Sequence, residues 1–484
     1  MSVSLPAAPP APVRAAFARR PAMRSPRRAR MVAGLHLLLD RFERVYAVAL
    51  LLVFSDAVIP LVRSASGAVA DLENGDPHRQ AMLFGFFGIC ALLCALRPGE
   101  VLGAALRNPM TLLLIAFAIF SRNWSHAPDI TLRRGVALAG TTMCGVWLAG
   151  RFRGRELMEM LGWAMGIVAV LSLLFALLIP ELGVHQGGDF DGAWRGVYLQ
   201  KNGLGKMMVL GTLTFILLAL RETGRARRKW QALGLLCAAE VLLSTSTTST
   251  LILGALILLV PLYKGLASRS RWLVPVALGI ALPVVGIALA VITDVEAALG
   301  LFGKDTTLTG RTELWEYAAA TIGDRLWYGY GYGAFWHVST RAQGIYAAIG
   351  WDAWHAHNGL LELGLNLGLI GILLFLAGYV AALFHGTSAL LSGAREEGIW
   401  ILGFMTFVLL GNLTESAILE QNAYWILYVA TASIAAPAAT AAMETARVRG
   451  AALSPGVRMR ARKRARLHAA ETVGPAGGGR MKNR

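Results

Sequence analysis

Apolar runs close to the length of a bilayer crossing recur along most of this chain, for example at 45–62, 157–178, 251–262 and 272–293. About 20 apolar residues in a helix cross a hydrocarbon core of roughly 30 Å. Each spanning helix satisfies its own backbone hydrogen bonds in lipid, so repeated runs of this kind specify a helical bundle. Segments starting near 44, 80, 108, 135, 157, 203, 230, 247, 272, 359, 398 and 422 fit the pattern, those near 108 and 247 least well. The expected fold is an all-α polytopic membrane protein of about 12 transmembrane helices. Among 484 residues, 56% are hydrophobic and only 15% charged, with mean hydropathy +0.54, as that fold requires.

The net charge of +17 invites a nucleic-acid partner, but its location argues against one. Residues 1–44 hold nine Arg and residues 443–484 hold eleven Lys or Arg, against four acidic residues in the two segments together. Basic blocks beside a first and a last helix hold those ends in the cytoplasm and meet anionic lipid. The organisation expected is a basic, disordered cytoplasmic arm at 1–43, a membrane domain at 44–442 and a basic cytoplasmic tail at 443–484. The Arg-, Pro- and Ala-rich start lacks the pattern of a cleaved signal peptide. Cys90, Cys94, Cys144 and Cys237 all fall within expected helices and lack metal-site spacing with a His, so they read as small apolar fillers.

With the N-terminus inside, short loops assigned to the cytoplasm (97–108, 151–156, 221–229, 264–271, 385–397) contain fourteen Lys or Arg. Short loops assigned outside (63–80, 121–134, 181–202, 244–249, 412–421) contain seven, a bias that supports both ends being cytoplasmic. The remaining connection, 294–358, is a large outer loop between helices 9 and 10. Loops of that length are uncommon between packed helices and are usually functional or disordered. This one is rich in aromatics, including Trp315, Trp327, Trp336, Trp351, Trp354, Tyr328, Tyr330 and Tyr332. Its rings are expected to divide between an interfacial belt and sugar stacking. Asp56 and Glu240 lie within expected helices, where ionisable residues are costly and serve either structural pairing or function.

Three motifs converge on the outer face. Trp194-Arg195-Gly196-Val197-Tyr198-Leu199-Gln200-Lys201-Asn202 precedes the sixth span, and Gly310-Arg311-Thr312-Glu313-Leu314-Trp315 opens a helix in the large loop. His355-Ala356-His357-Asn358-Gly359 leads into the tenth span, with Gly368-Leu369-Ile370-Gly371 inside it. Arg195, Lys201 and Arg311 suit a phosphate-bearing ligand, because guanidinium binds phosphate bidentately and lysine acts as a point charge. On a lipid diphosphate they would neutralise charge developing on the leaving group. His357 suits a general base acting on an acceptor hydroxyl, since its ordinary pKa is near neutral; His355 is a second candidate. A helix-capping histidine and headgroup-anchoring cations are the alternatives. No acidic cluster with metal-ligand spacing appears outside, so no metal or cofactor is expected. The glycines of Gly329-Tyr330-Gly331-Tyr332-Gly333 permit a tight turn, with phosphate cradling the lesser use.

At these residues the chain resembles the O-antigen ligase and polysaccharide polymerase family. The similar pieces are Arg195-Gly196 through Lys201-Asn202 and Gly205, Gly310 to Trp315, the Tyr330-Gly331-Tyr332-Gly333 turn, and His357-Asn358 followed by Gly368-x-x-Gly371. Trp124-Ser125 with Pro128, and the Ser/Thr run 244–250, also fit, so the resemblance covers about residues 45–440. It implies a metal-independent, inverting GT-C-type glycosyltransferase of the bacterial inner membrane, working at the periplasmic face on undecaprenyl-diphosphate-linked glycan. It implies that Arg195 and Arg311 bind the diphosphate and that His357 activates the acceptor. Lys201 is a third diphosphate candidate, with Asn202, Glu313, Asn358 and Glu415 in support. The acceptor is either a glycan or lipid A-core, and other polysaccharide-export components are candidate partners. Asn412-Leu413-Thr414-Glu415-Ser416 and the overall pattern look closer to exopolysaccharide polymerases than to O-antigen ligases or protein transferases. A lipid-linked glycan flippase is the competing class, but it should show repeats and a charged lumen near midplane.

Overall fold

A computed structural model describes residues 26–57, 77–267, 309–338 and 340–434. Residues up to Tyr46 form one compact unit and those from Ala47 a second. Among the described residues the protein is helical, and no strand is present beyond an isolated bridge between Val184 and Trp194. The expected span near 272, the start of the large loop at 294–308 and the basic tail lie outside the described residues.

The first helix, α1, runs Pro26–Phe54. It therefore includes residues 26–43 of the segment expected to be a disordered arm, because the Ala, Leu and Arg there are good helix formers, while residues 1–25 lie outside the described residues. Next come α2 (Pro77–Leu96), α3 (Pro98–Ala105), α4 (Pro109–Phe120), α5 (Pro128–Arg151) and α6 (Gly154–Leu178). They are followed by α7 (Lys201–Arg221), α8 (Gly224–Leu243) and α9 (Thr247–Ala267). Five helices open on proline (α1–α5), which costs nothing where the first amides lack intrahelical partners.

Five described helices are long and apolar enough to cross a membrane by length and composition, or six if α3 and α4 form one broken span. Those two helices meet at 86°. Pro109 cannot continue a helix from α3, and Asn108 caps α4 by accepting a hydrogen bond from the Thr111 amide at 3.2 Å. The expected loop at 97–108 is thus largely helical.

The described part of the large loop forms α10 (Thr309–Asp324), a single turn at Phe335–Val338 and α11 (Thr340–Ile349). These elements enclose a core of their own, with Leu314, Tyr330, Phe335, Ile345 and Ala356 buried together. Tyr330 and Trp336 are core rings, a role not expected from sequence, whereas Trp327 and Trp354 stay exposed. The chain then continues through α12 (Gly359–Leu391), α13 (Arg395–Gly411) and α14 (Ala423–Ala432).

Helices α12 and α13 pack together, with the Tyr379 hydroxyl donating to the Met405 carbonyl at 3.0 Å. Trp425 of α14 donates to Thr142 of α5 at 2.9 Å. Most informative is a break in α12 at Gly368, where φ is +62° and ψ is −161°. The loop after α10 docks into it: Tyr330 and Gly331 amides donate to the Leu365 and Asn366 carbonyls, and the Leu369 and Ile370 amides donate to Leu326 and Trp327. Backbone groups freed by the break are thereby satisfied inside protein, as an apolar surrounding demands. A Cβ at Gly368 would lie 2.5 Å from backbone atoms of Trp327 and Tyr328, and one at Gly329 would lie 2.7 Å from Asn366. These glycines serve close backbone approach, which is how the large loop is locked onto the bundle.

Candidate active site

The entry to α12 organises the site. Asn358 caps the helix, its side-chain oxygen accepting from the Leu360 and Leu361 amides at 3.0 and 3.2 Å. One turn in, Glu362 reaches back: a single carboxylate oxygen accepts from the Ala356 amide and the Trp336 indole, each at 2.8 Å. Its other oxygen accepts from Asn366 at 3.0 Å, and Asn366 in turn accepts from the Gly333 amide at 2.7 Å. Cap and carboxylate together fix the residues on either side of His357. That histidine has φ +51°, a left-handed conformation costly for a side-chain-bearing residue and frequent at functional sites.

The His357 amide donates to His355 Nδ1 at 3.2 Å, and the two rings lie 4.0 Å apart. The His355 proton therefore sits on Nε2. Trp351 flanks His357, with ring centroids 5.9 Å apart. His357 Nδ1 is buried and has no partner among the described residues. Burial, His355 and Arg311 lower its pKa to about 3, and burial also lowers that of His355. Both imidazoles are neutral near pH 7.

Glu415, from the connection between α13 and α14, completes the group: ligating atoms of His355, His357 and Glu415 all lie within 4.8 Å of one another. Lys206 lies 3.4 Å from one Glu415 oxygen, while Asn202 donates to the other at 3.4 Å. Arg311, at the start of α10, is 3.8 Å from that second oxygen and donates to the Thr414 carbonyl at 2.8 Å. Burial alone would raise the Glu415 pKa; Lys206 and Arg311 outweigh it and hold the group at about 2. Two histidines and a carboxylate form a donor set that metals accept. A divalent ion here would, however, meet the positive Lys206 and Arg311 at the same carboxylate.

Arg195 and Lys201 form a second cationic group, linked to the first through the opening turn of α7. Asn202 points to Glu415, whereas Lys201 donates to Thr245 at 3.2 Å and lies 4.3 Å over the Phe190 ring. Arg195 donates to the Glu181 carbonyl at 2.9 Å, and its Nε is buried without a partner among the described residues. Both cations lower the pKa of His185, after burial, and His185 Nε2 accepts from the Lys201 amide at 3.2 Å. Glu313 is exposed on α10 and joins neither group among the described hydrogen bonds and ion pairs.

Sequence reasoning missed Lys206 and Glu362. Lys206 had a usable signal, as the one lysine inside an expected span, and it lies one turn beyond Asn202 on the same face. Glu362 follows Asn358 by one turn, but its three partners come from positions that sequence does not connect.

Residues 232–376 match a family model described as O-antigen ligase. That region contains Arg311, His357 and Glu362, though neither Lys206 nor Glu415. The chain is also similar to the exopolysaccharide production protein ExoQ of Rhizobium meliloti (strain 1021). Identity is 30% over 344 residues, covering 68% of this chain and 77% of that protein.

Proposed function

The chain belongs to the O-antigen ligase and polysaccharide polymerase family, and from that premise we propose that it polymerises lipid-linked exopolysaccharide repeats at the periplasmic face of a bacterial inner membrane. The proposed donor is an undecaprenyl-diphosphate-linked glycan, the reaction inverting and metal-independent, and the architecture GT-C-type with about 12 spans. The observation that carries this reading is the pairing of a neutral, half-buried His357 with a cationic group around Glu415.

In the proposed step, His357 takes the proton of an acceptor hydroxyl while that oxygen attacks the donor's anomeric carbon. The bond to the diphosphate breaks with its electron pair, and the lipid diphosphate leaves. Arg311, Arg195 and Lys201 stabilise the charge gathering on it. Glu415, ionised at neutral pH, stabilises the imidazolium formed. A pKa of about 3 makes His357 a weak base in the free protein. A diphosphate against Arg311 would cancel one of the charges that depress it, while burial and His355, the larger causes, would still act.

The test is gene deletion, with secreted polysaccharide and lipopolysaccharide sized side by side. Loss of long secreted chains with intact lipopolysaccharide supports polymerisation. Loss of the lipopolysaccharide ladder, with long chains stranded on the lipid carrier, would make the protein a ligase to lipid A-core.

A further inference from the structure

Adjoining the His355–Glu415 pair is a cavity of about 460 Å³, within the roughly 300–1,000 Å³ usual for ligand sites. His355 and Glu415 lie in its wall; Arg311, Arg195 and Lys201 do not. The cavity is therefore distinct from the cations assigned above to the leaving diphosphate, and it is walled by His355 and Glu415, the two side chains grouped with His357.

Charge decides what it can hold. The wall carries three Lys or Arg side chains, Arg79, Arg134 and Lys206, against four carboxylates, Asp56, Glu362, Glu415 and Glu420. Each cation is engaged: Arg79 lies 3.3 Å from Asp56, Lys206 3.4 Å from Glu415, and Arg134 2.6 Å from His337 Nε2. A diphosphate requires surplus positive charge, and this wall has none. Glu420 is the exception among the carboxylates. Its side chain is open to the cavity and accepts no hydrogen bond among the described residues. Surrounding protein pushes its pKa up to about 7, although Arg134 opposes the shift. Trp354, 50% exposed, adds an aromatic face to the same cavity. A carboxyl group, which accepts when ionised and can also donate when protonated, and an aromatic ring on the wall of the same cavity suit the hydroxyls and the apolar face of a pyranose.

We propose that this cavity is the subsite for the terminal sugar of the acceptor glycan, with Glu420 reading its hydroxyls and Trp354 its ring face. The assignment rests on the reading of His357 as the base for glycosyl transfer.

The experiment uses the full chain in lipid nanodiscs. Tryptophan fluorescence is titrated with oligosaccharides released by mild acid from the host's own secreted polysaccharide, and inorganic pyrophosphate serves as competitor. Wild type should bind saturably, and Glu420→Ala should bind about tenfold more weakly, the scale of lost hydrogen bonds to a charged group. Glu420→Gln, which keeps the shape, should fall between them, and pyrophosphate should not compete. Equal affinity in wild type and Glu420→Ala, no binding by wild type, or displacement by pyrophosphate would each overturn the proposal. His357→Ala separates the two readings: it should stop transfer while leaving oligosaccharide affinity within about twofold, since His357 does not line the cavity. Normal transfer by His357→Ala would end the base assignment and leave the binding result to judge Glu420.

Discussion

Glu362 accepts the Ala356 amide at 2.8 Å, so a buried carboxylate one turn inside α12 holds the residue that separates His355 from His357. The same oxygen accepts from Trp336, in the core of the large loop. Loop, histidines and bundle are thus joined at one side chain. Glu362→Gln keeps the volume but turns an amide nitrogen toward one of three donors. It should cost ~1–3 kcal/mol of stability, the penalty for a buried group left unsatisfied, and should lower transfer further by loosening His357. Thermal melts of the purified protein and transfer assays at matched protein level check both; unchanged values in both would remove Glu362 from the site's support.

Acidification should reveal that the half-buried His357 is held neutral. Its pKa is about 3 when folded against an ordinary value of 6.5. Between these values the unfolded chain binds the additional proton, so His357's contribution to stability is complete above about pH 6.5 and is lost as pH falls toward 3. Melting temperature between pH 7 and pH 4 should therefore fall less steeply in His357→Gln than in wild type. Parallel curves would mean that His357 titrates normally.

Lys206 and Glu415 form an ion pair with side chains only 18% and 13% exposed. Removing one partner leaves the other charge buried, a loss of about 3–5 kcal/mol in comparable cases. Glu415→Ala should accordingly destabilise more than the Lys206→Met, Glu415→Gln double variant, which leaves neither charge stranded. The double variant should fold yet remain poor in transfer, because the imidazolium has lost its counter-charge. A double variant as active as wild type would contradict that role. Stability and activity measured over the full mutant cycle give the coupling.

Gly368→Ala should act on assembly rather than chemistry. A Cβ there meets backbone, with no flexible side chain to yield, and φ is +62°. The variant should be depleted from the membrane, as seen by immunoblot. Normal abundance would show that the loop does not need its close seat in the α12 break.

How much of this was legible in the sequence differs from one residue to another. Arg311, Asn202, Glu415 and His357 could be singled out because polar motifs at the ends of apolar runs stand out, and the fold gathers them. The break in α12 was not legible as a break, since apolar sequence runs through it and Gly368-x-x-Gly371 is equally compatible with a continuous helix. Trp336 and Tyr330 read as surface aromatics because a core inside a loop leaves no hydropathy period. Glu420 gave no signal: its meaning comes from a cavity assembled from segments more than 300 residues apart, Asp56 to Asn422.

Everything proposed for this site turns on His357 as the base for glycosyl transfer. The direct measurement is transfer of glycan by membranes carrying His357→Ala at wild-type protein level. Transfer should fall by at least about 10²-fold, the lower range for a positioned general base, with normal abundance and oligosaccharide binding. Full activity in that variant would contradict the role of His357 as base.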